Sequence, residues 1–369
     1  KELKKERKEK RELDAEIVYL LQGRVWPDYF EKEFGISLQL TIKALEKTSG
    51  IAKDEIVKKF KKTGDLGLVA GEVMKKKKQA SLFSHKLTTE KVIENLKKLP
   101  DLVGKGTVDK KLALIADLFI NATSIEAKYI VRTLLNDLRI GVGSGVIRDA
   151  IVWSCLDKED KKNYEVIQTA YDKATDFALV FEKACEGKKE IESISLSPGK
   201  PLKVMLALKA ESIADGFERC GKPCAIEFKY DGFRMLINKD KTGEIRIFTR
   251  RLEEVTKQFP EVQEYMKKYV KADNFIIDSE AVGFDLKTHR YLPFQNISQR
   301  IKRKYDIKEI SEKMPVEINA FDLLYLNGES LIDENFEERT KLLRKIIKIE
   351  KWKLVASKQL ITSDEKEAT

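Results

Sequence analysis

The residues most able to do chemistry stand together in Glu227-Phe228-Lys229-Tyr230-Asp231-Gly232-Phe233-Arg234. The preceding stretch, Cys224 to Phe228, reads as a strand, and side chains on a strand alternate faces. On that reading Glu227 and Lys229 point one way, and Ile226, Phe228 and Tyr230 the other. Lysine is an amine nucleophile once its proton is removed. A free lysine titrates near 10.4, so roughly one in a few thousand is neutral at pH 7 and a reactive one needs burial or nearby cations. Gly232 lets the backbone turn or approach a ligand closely, and Arg234 offers a planar fork of donors suited to phosphate. The same octet also fits an exposed strand with an ordinary Glu/Lys pair followed by a turn.

Further along, Ile245 to Arg250 alternates, with Arg246, Phe248 and Arg250 on one face. Phe275 to Glu280 is a strand that places Asp278 and Glu280 on one face with Ile276. Two same-face carboxylates at the end of an apolar strand suit a divalent metal or a ribose; a strand emerging into solvent has the same pattern. Val316 to Leu326 is another strand, ending at a turn, Asn327-Gly328. A short helix is expected from Ala210 to Phe217, and a second from Phe259-Pro260, with proline in its first turn, to about Val270. This half follows Ser193-Ile194-Ser195-Leu196-Ser197-Pro198-Gly199-Lys200-Pro201, which reads as a linker.

The first half has a different texture. Apolar residues recur at helical spacing, as in Leu38, Ile42, Leu45 and in Leu112, Ile115, Leu118, Phe119, and the same period runs from Tyr129 through Leu138. Lys75, Lys76 and Lys77 belong to a basic run that fits either a solvated face or a phosphate contact. Arg139, Gly141, Gly143 and Arg148 frame a glycine-rich turn that opens a new helix. Its glycine spacing is not that of a dinucleotide loop. Backbone amides there suit a nucleic-acid phosphate, and a plain interhelical turn reads the same way.

The chain has 369 residues, 42% hydrophobic and 36% charged, with a formal charge of +10. That length suits two or three domains, and the positive balance favours a polyanionic partner. Four cysteines, Cys155, Cys185, Cys220 and Cys224, match no disulfide framework or zinc site and read as structural thiols in a reducing compartment. Two histidines far apart make histidine-based chemistry a poor fit. No apolar run is long enough to span a membrane.

Lys229-x-Asp231-Gly232-x-Arg234 resembles the nucleophile motif of the covalent nucleotidyltransferases: DNA ligases, RNA ligases and mRNA capping enzymes. Phe248-Thr249-Arg250, Asp278-Ser279-Glu280-Ala281-Val282, Pro293-Phe294-Gln295 and Ala320 to Ser330 resemble the DNA ligase motifs that follow it, in the family's order. Gly23 to Pro27, Thr63 to Gly67 and Asp137 to Val142 resemble the helical DNA-binding domain of archaeal and eukaryotic replicative ligases. The resemblance implies an all-α DNA-binding domain over 1–192 and an α+β nucleotidyltransferase domain with antiparallel sheets over 193–369. It implies an ATP-dependent DNA ligase that seals 5′-phosphate/3′-hydroxyl nicks through lysyl-AMP at Lys229, serving replication, repair and recombination.

By the same resemblance, Glu227 reads the adenine, Phe321 stacks on it, Arg234 and Arg250 contact ribose or phosphates, and Glu280 holds the ribose or Mg²⁺. Asp231 has no assigned role. The implied partners are ATP, Mg²⁺ and nicked duplex DNA. Gln79, Leu82 and Phe83 resemble a sliding-clamp peptide. A monomer in the cytoplasm, or in the nucleus of a eukaryote, is expected. The family's later Glu-Gly-x-x-x-Lys strand, Lys-rich motif and oligonucleotide-binding domain do not follow Phe321, so the chain is expected to be a truncated ligase, weak or inactive alone. The rival readings are an RNA ligase or capping-type enzyme sharing the Lys229 motif, and a non-catalytic DNA- or clamp-binding fragment.

Overall fold

A computed structural model describes residues 15–27, 29, 30, 32–76, 86–203, 207–301, 303 and 305–369. Lys77 and the clamp-like Gln79, Leu82 and Phe83 lie outside these residues. The chain divides into two compact units, one of residues 1–171 and 176–193, the other of 172–175 and 194–369.

The first unit is helical. Its core collects the apolar faces that the spacing predicts, among them Ile42, Leu45, Ile56, Val69, Leu96, Ile115, Phe119 and Val131. The helix Leu66–Lys75 is capped by Asp65, whose carboxylate accepts from Leu68 N at 3.1 Å. That helix packs against Ser124–Leu134, which starts with a reciprocal Thr123/Glu126 capping box. The helices approach closely at Gly67, where a Cβ would lie 2.6 Å from Arg132 Cγ and 2.8 Å from the Lys128 carbonyl.

One expectation is corrected here. The apolar period through Leu138 does not carry the helix that far. It ends at Leu134, and Asn136 and Arg139 take positive φ, 53° each, so the chain turns away.

The second unit is built on a six-stranded sheet. Its strands are β2 (Phe233–Lys239), β3 (Ile245–Thr249), β4 (Phe275–Gly283), β5 (Val316–Leu326), β6 (Glu329–Ser330) and β7 (Leu354–Ala356). Their order is β3-β2-β4-β5-β6, all antiparallel. β7 departs from the expected antiparallel pattern and runs parallel to β5, because the helix Phe336–Ile346 carries the chain back across the sheet. A separate pair joins β1 (Cys224–Glu227) to β8 (Gln359–Thr362).

Alternation decides what each sheet face buries. Met235, Ile237, Ile247, Ile277, Ala320 and Leu323 enter the larger core, and Leu236, Phe248, Ile276 and Leu324 pack on the opposite face with Leu196. Two register shifts in the β4–β5 ladder leave Phe321 and Leu324 as extra residues on β5. Without the bulge at Phe321, Ala320 and Leu323, three apart, could not both reach the same core. The expected helix at Ala210 to Phe217 forms later, at Ile213–Cys220, capped by Ser212.

Candidate active site

β1 stops at Glu227, whose cross-strand partner is Gln359, the first residue of β8. Ser357, two residues earlier, already donates to the Ala320 carbonyl of β5 at 2.7 Å. Phe228 therefore has no strand to pair with, and residues 228–232 cross from the small sheet to the large one as irregular chain. This corrects the expectation that strand alternation sets Lys229 on the face of Glu227. Lys229 lies outside β1, so alternation does not set its direction. Lys229 lines a cavity of about 780 Å³ with Arg234, Thr249, Arg250, Arg251, Glu280 and Phe294. Glu227 lines another, of about 690 Å³, with Phe228, Arg344, Ser357 and Gln359.

Gly232 makes the crossing possible. A Cβ there would sit 2.3 Å from the Ala281 carbonyl oxygen, so only glycine brings this loop against β4. Immediately after it, Phe233 and Arg234 enter β2 opposite Ala281 and Glu280. Asp231, unassigned from sequence, accepts a long 3.4 Å bond from Phe294 N, which ties the Lys229 loop to the Pro293-Phe294-Gln295 segment.

Arg234 is more committed than its motif suggests. Its Nε donates to both oxygens of Asp278, at 2.9 and 3.1 Å, and its Nη2 also binds that carboxylate. Asp278 is 3% exposed. Burial raises its carboxyl above the ordinary range and the guanidinium opposes that shift. Burial disfavours the Arg234 charge in turn, and the Asp278 carboxylate, with Glu280 and Asp322, more than offsets it. The Arg234 guanidinium also lies 5.6 Å from the centre of the Phe321 ring. A second ion pair, unread in the sequence, joins Asp322 to Arg339 at 2.8 and 3.0 Å. Its partners are 17 positions apart, so only the tertiary fold joins them.

Glu280 faces the Lys229 cavity with its carboxyl pushed up to about 7, by burial first, with Lys229 pulling it back down. The folded chain thus binds this proton more tightly than the unfolded chain. Its contribution to stability is complete below about pH 4.5 and is lost as pH rises through about 7. Glu280→Gln is therefore expected to gain melting temperature relative to the parent as pH rises from 5 to 8. Parallel melting curves for the two proteins across that range would refute the burial argument. Glu227 is raised as well, by burial, against the pull of Arg344. Gln359 Nε2 reaches its Oε1 at 3.4 Å.

Three stretches named separately in the sequence meet in the helical unit. Leu138 packs on Gly23, where an added Cβ would lie 3.4 Å from the leucine Cβ. Arg139 pairs with Asp137 at 2.6 Å and with Asp65 at 3.7 Å, and it donates to the Gly64 carbonyl. Its side chain keeps 46% exposure. Gly143 precedes the helix Ser144–Cys155 without a side-chain cap, and Gly141 has φ 69°. Arg148 pairs with Asp149 at 2.7 Å and lies over the Tyr164 ring. Lys75 and Lys76 are exposed at the end of Leu66–Lys75.

Among the described residues no group of three or more His, Cys, Asp or Glu side chains could hold a metal by itself. None of their helices is long and apolar enough to cross a membrane. Glu280 and Glu253 line the cavity as carboxylates suited to a hard cation. Magnesium sites of the kind completed by substrate phosphates need only one or two such ligands.

The family described as "ATP dependent DNA ligase domain" matches residues 204–369, and "DNA ligase N terminus" matches residues 3–152. A DNA ligase of Nanoarchaeum equitans is 42% identical over 98% of this chain and 63% of its own length. One of Thermococcus onnurineus is 39% identical over 97% of the chain and 62% of its own length. The chain thus spans less than two thirds of these relatives. Among solved structures, the ligase domain of M. tuberculosis LigD aligns over 39% of this chain and 42% of its own, at 29% identity and a TM-score of 0.29.

Proposed function

We propose, for a chain that belongs to the ATP-dependent DNA ligase family, that it supplies the nucleophile and the DNA-gripping helices of an enzyme sealing nicks in duplex DNA. The observation that carries this reading is the 780 Å³ cavity where Lys229 stands with Arg234, Arg250 and Glu280. An amine, the guanidiniums of Arg234, Arg250 and Arg251 and the carboxylates of Glu253 and Glu280 around one space suit a nucleotide whose α-phosphate takes the attack.

In the proposed first step the Lys229 amine, having lost its proton, attacks the α-phosphorus of ATP. A P–N bond forms, the bond to the β-phosphate oxygen breaks, and pyrophosphate leaves. Positive charge from Arg250 stabilises charge on the phosphates. Arg234, fixed by Asp278 and close to Phe321, holds its fork in place before the nucleotide arrives. Glu280 fits the ribose or a magnesium ion. When bound, that ion would neutralise phosphate charge. AMP then passes to the 5′-phosphate of a nick, and the 3′-hydroxyl displaces it to close the strand.

Glu227, held by Gln359 and facing a neighbouring cavity, is assigned to the adenine amino group, and Phe321 to stacking on the base. DNA contact is assigned to Lys75, Lys76, Lys77, Arg139, Gly141, Gly143 and Arg148; among the described residues, the exposed cations Lys75, Lys76 and Arg139 and the uncapped amides after Gly143 suit phosphates. A clamp contact through Gln79, Leu82 and Phe83, a monomeric state and a location with the cell's DNA belong to the same reading.

Incubation with ATP, GTP or NAD⁺ labelled in the transferred nucleotide tests it. Covalent label from ATP, even well below one per chain, is expected. Label from GTP would mark a capping-type enzyme, a reading that the helical family match over residues 3–152 disfavours. Failure to bind a fluorescent ATP analogue would leave the non-catalytic DNA-binding reading.

A further inference from the structure

Cys155 is the last residue of the helix Ser144–Cys155, and Cys185 is the penultimate residue of Phe177–Glu186. These two helices pack together in the first unit. Neither cysteine is in a disulfide, and Cys185 is exposed and Cys155 half-buried. Their sulfurs lie 3.2 Å apart. A disulfide needs about 2.05 Å, so closure requires roughly 1.2 Å of movement, within reach of small side-chain rotations. Thirty positions of sequence separate the pair, which is why their spacing matched no framework.

We propose that Cys155 and Cys185 form a modification site, a dithiol oxidised to an intrachain disulfide by small disulfides of the glutathione class. The Cys185 thiolate attacks one sulfur of the reagent, whose S–S bond breaks, giving a mixed disulfide and one reagent thiolate. The Cys155 thiolate then attacks Cys185 Sγ, forming the intrachain bond and releasing the second reagent thiolate. The two protons lost by the protein thiols pass to the two reagent thiolates. The chain is oxidised by two electrons and the reagent is reduced by two. The bond joins the ends of two packed helices and restricts the unfolded chain. None of this depends on what the second unit does.

The full chain is equilibrated with oxidised glutathione at pH 8, quenched with acid, and its remaining thiols are counted with a maleimide under denaturing conditions. Peptide mapping is expected to find Cys155 joined to Cys185. In a Cys220→Ser/Cys224→Ser background, the two remaining thiols are expected to fall to none without glutathione adducts. Cys155→Ser and Cys185→Ser should each lose the linkage. The linked chain should melt about 5–10 °C higher. A persistent glutathione adduct on Cys185, reactive thiols at both positions, or a link through Cys220 or Cys224 instead would overturn the proposal. So would a 155–185 link without the rise in melting temperature, because that marks a bond formed in unfolded chains.

Discussion

Lys229→Ala is expected to abolish covalent transfer of the nucleotide to the chain, by on the order of 1000-fold or more, while an ATP analogue still binds within a few-fold. Lys229→Arg is the more telling variant. It keeps the positive charge and much of the length, yet a guanidinium does not give up its proton in a protein, so no neutral amine can form. If Lys229 served only to attract phosphates, arginine would preserve most of the labelling. If it is the nucleophile, arginine fails as completely as alanine. Its placement supports the second outcome. Lys229 is exposed on an irregular segment at the cavity edge, where Arg234 and Arg250 also stand. The bond should break in acid and survive base, as a P–N bond does. Undiminished label on Lys229→Ala, mapped to another residue, would end the assignment.

Arg234→Ala is expected to destabilise the second unit by about 3–5 kcal/mol, because it strands a buried charge. Its melting temperature should fall by about 6–20 °C. Asp278 is 3% exposed and takes its main compensation from the bidentate guanidinium. Asp322 is its Cα partner across β4 and β5 and adds a repulsive charge, so the carboxylate has little help once Arg234 is gone. The loss should grow as pH rises, since the stranded Asp278 has to bind a proton to remain buried. The double variant Arg234→Ala/Asp278→Ala decides between roles. An ion pair predicts that removing both partners recovers part of the stability lost with one. A residue acting only on nucleotide predicts no loss of melting temperature in the nucleotide-free protein, and no recovery. Additive losses in the double variant would refute the pairing argument.

Much of the architecture is legible in the chain before any folding. Apolar spacing of three and four marks the helical half, while the short apolar runs Phe275 to Val282 and Val316 to Leu326 mark strands that the fold buries on both faces. The order Lys229, Arg250, Glu280, Phe321 is likewise covalent information. The sequence marks the turn at Asn327-Gly328 because both residues tolerate positive φ, and the helix opened by Pro260 because proline fixes its own φ.

Tertiary structure alone decides the remainder. A strand lasts only as long as its partner, so the course of Ser357 toward β5 ends β1 at Glu227 and frees Lys229 from strand alternation. Bulges at Phe321 and Leu324 depend on what β4 offers opposite, which no local pattern in β5 records. Gly232 is required by the Ala281 carbonyl, 49 residues away in sequence. Arg234 is held by Asp278, Asp322 by Arg339, and Cys155 touches Cys185, all through contacts between separate elements. Periodicity reports which face of an element is buried; partner identity is a property of the folded chain, set by packing and by the need of each buried charge for a counter-charge.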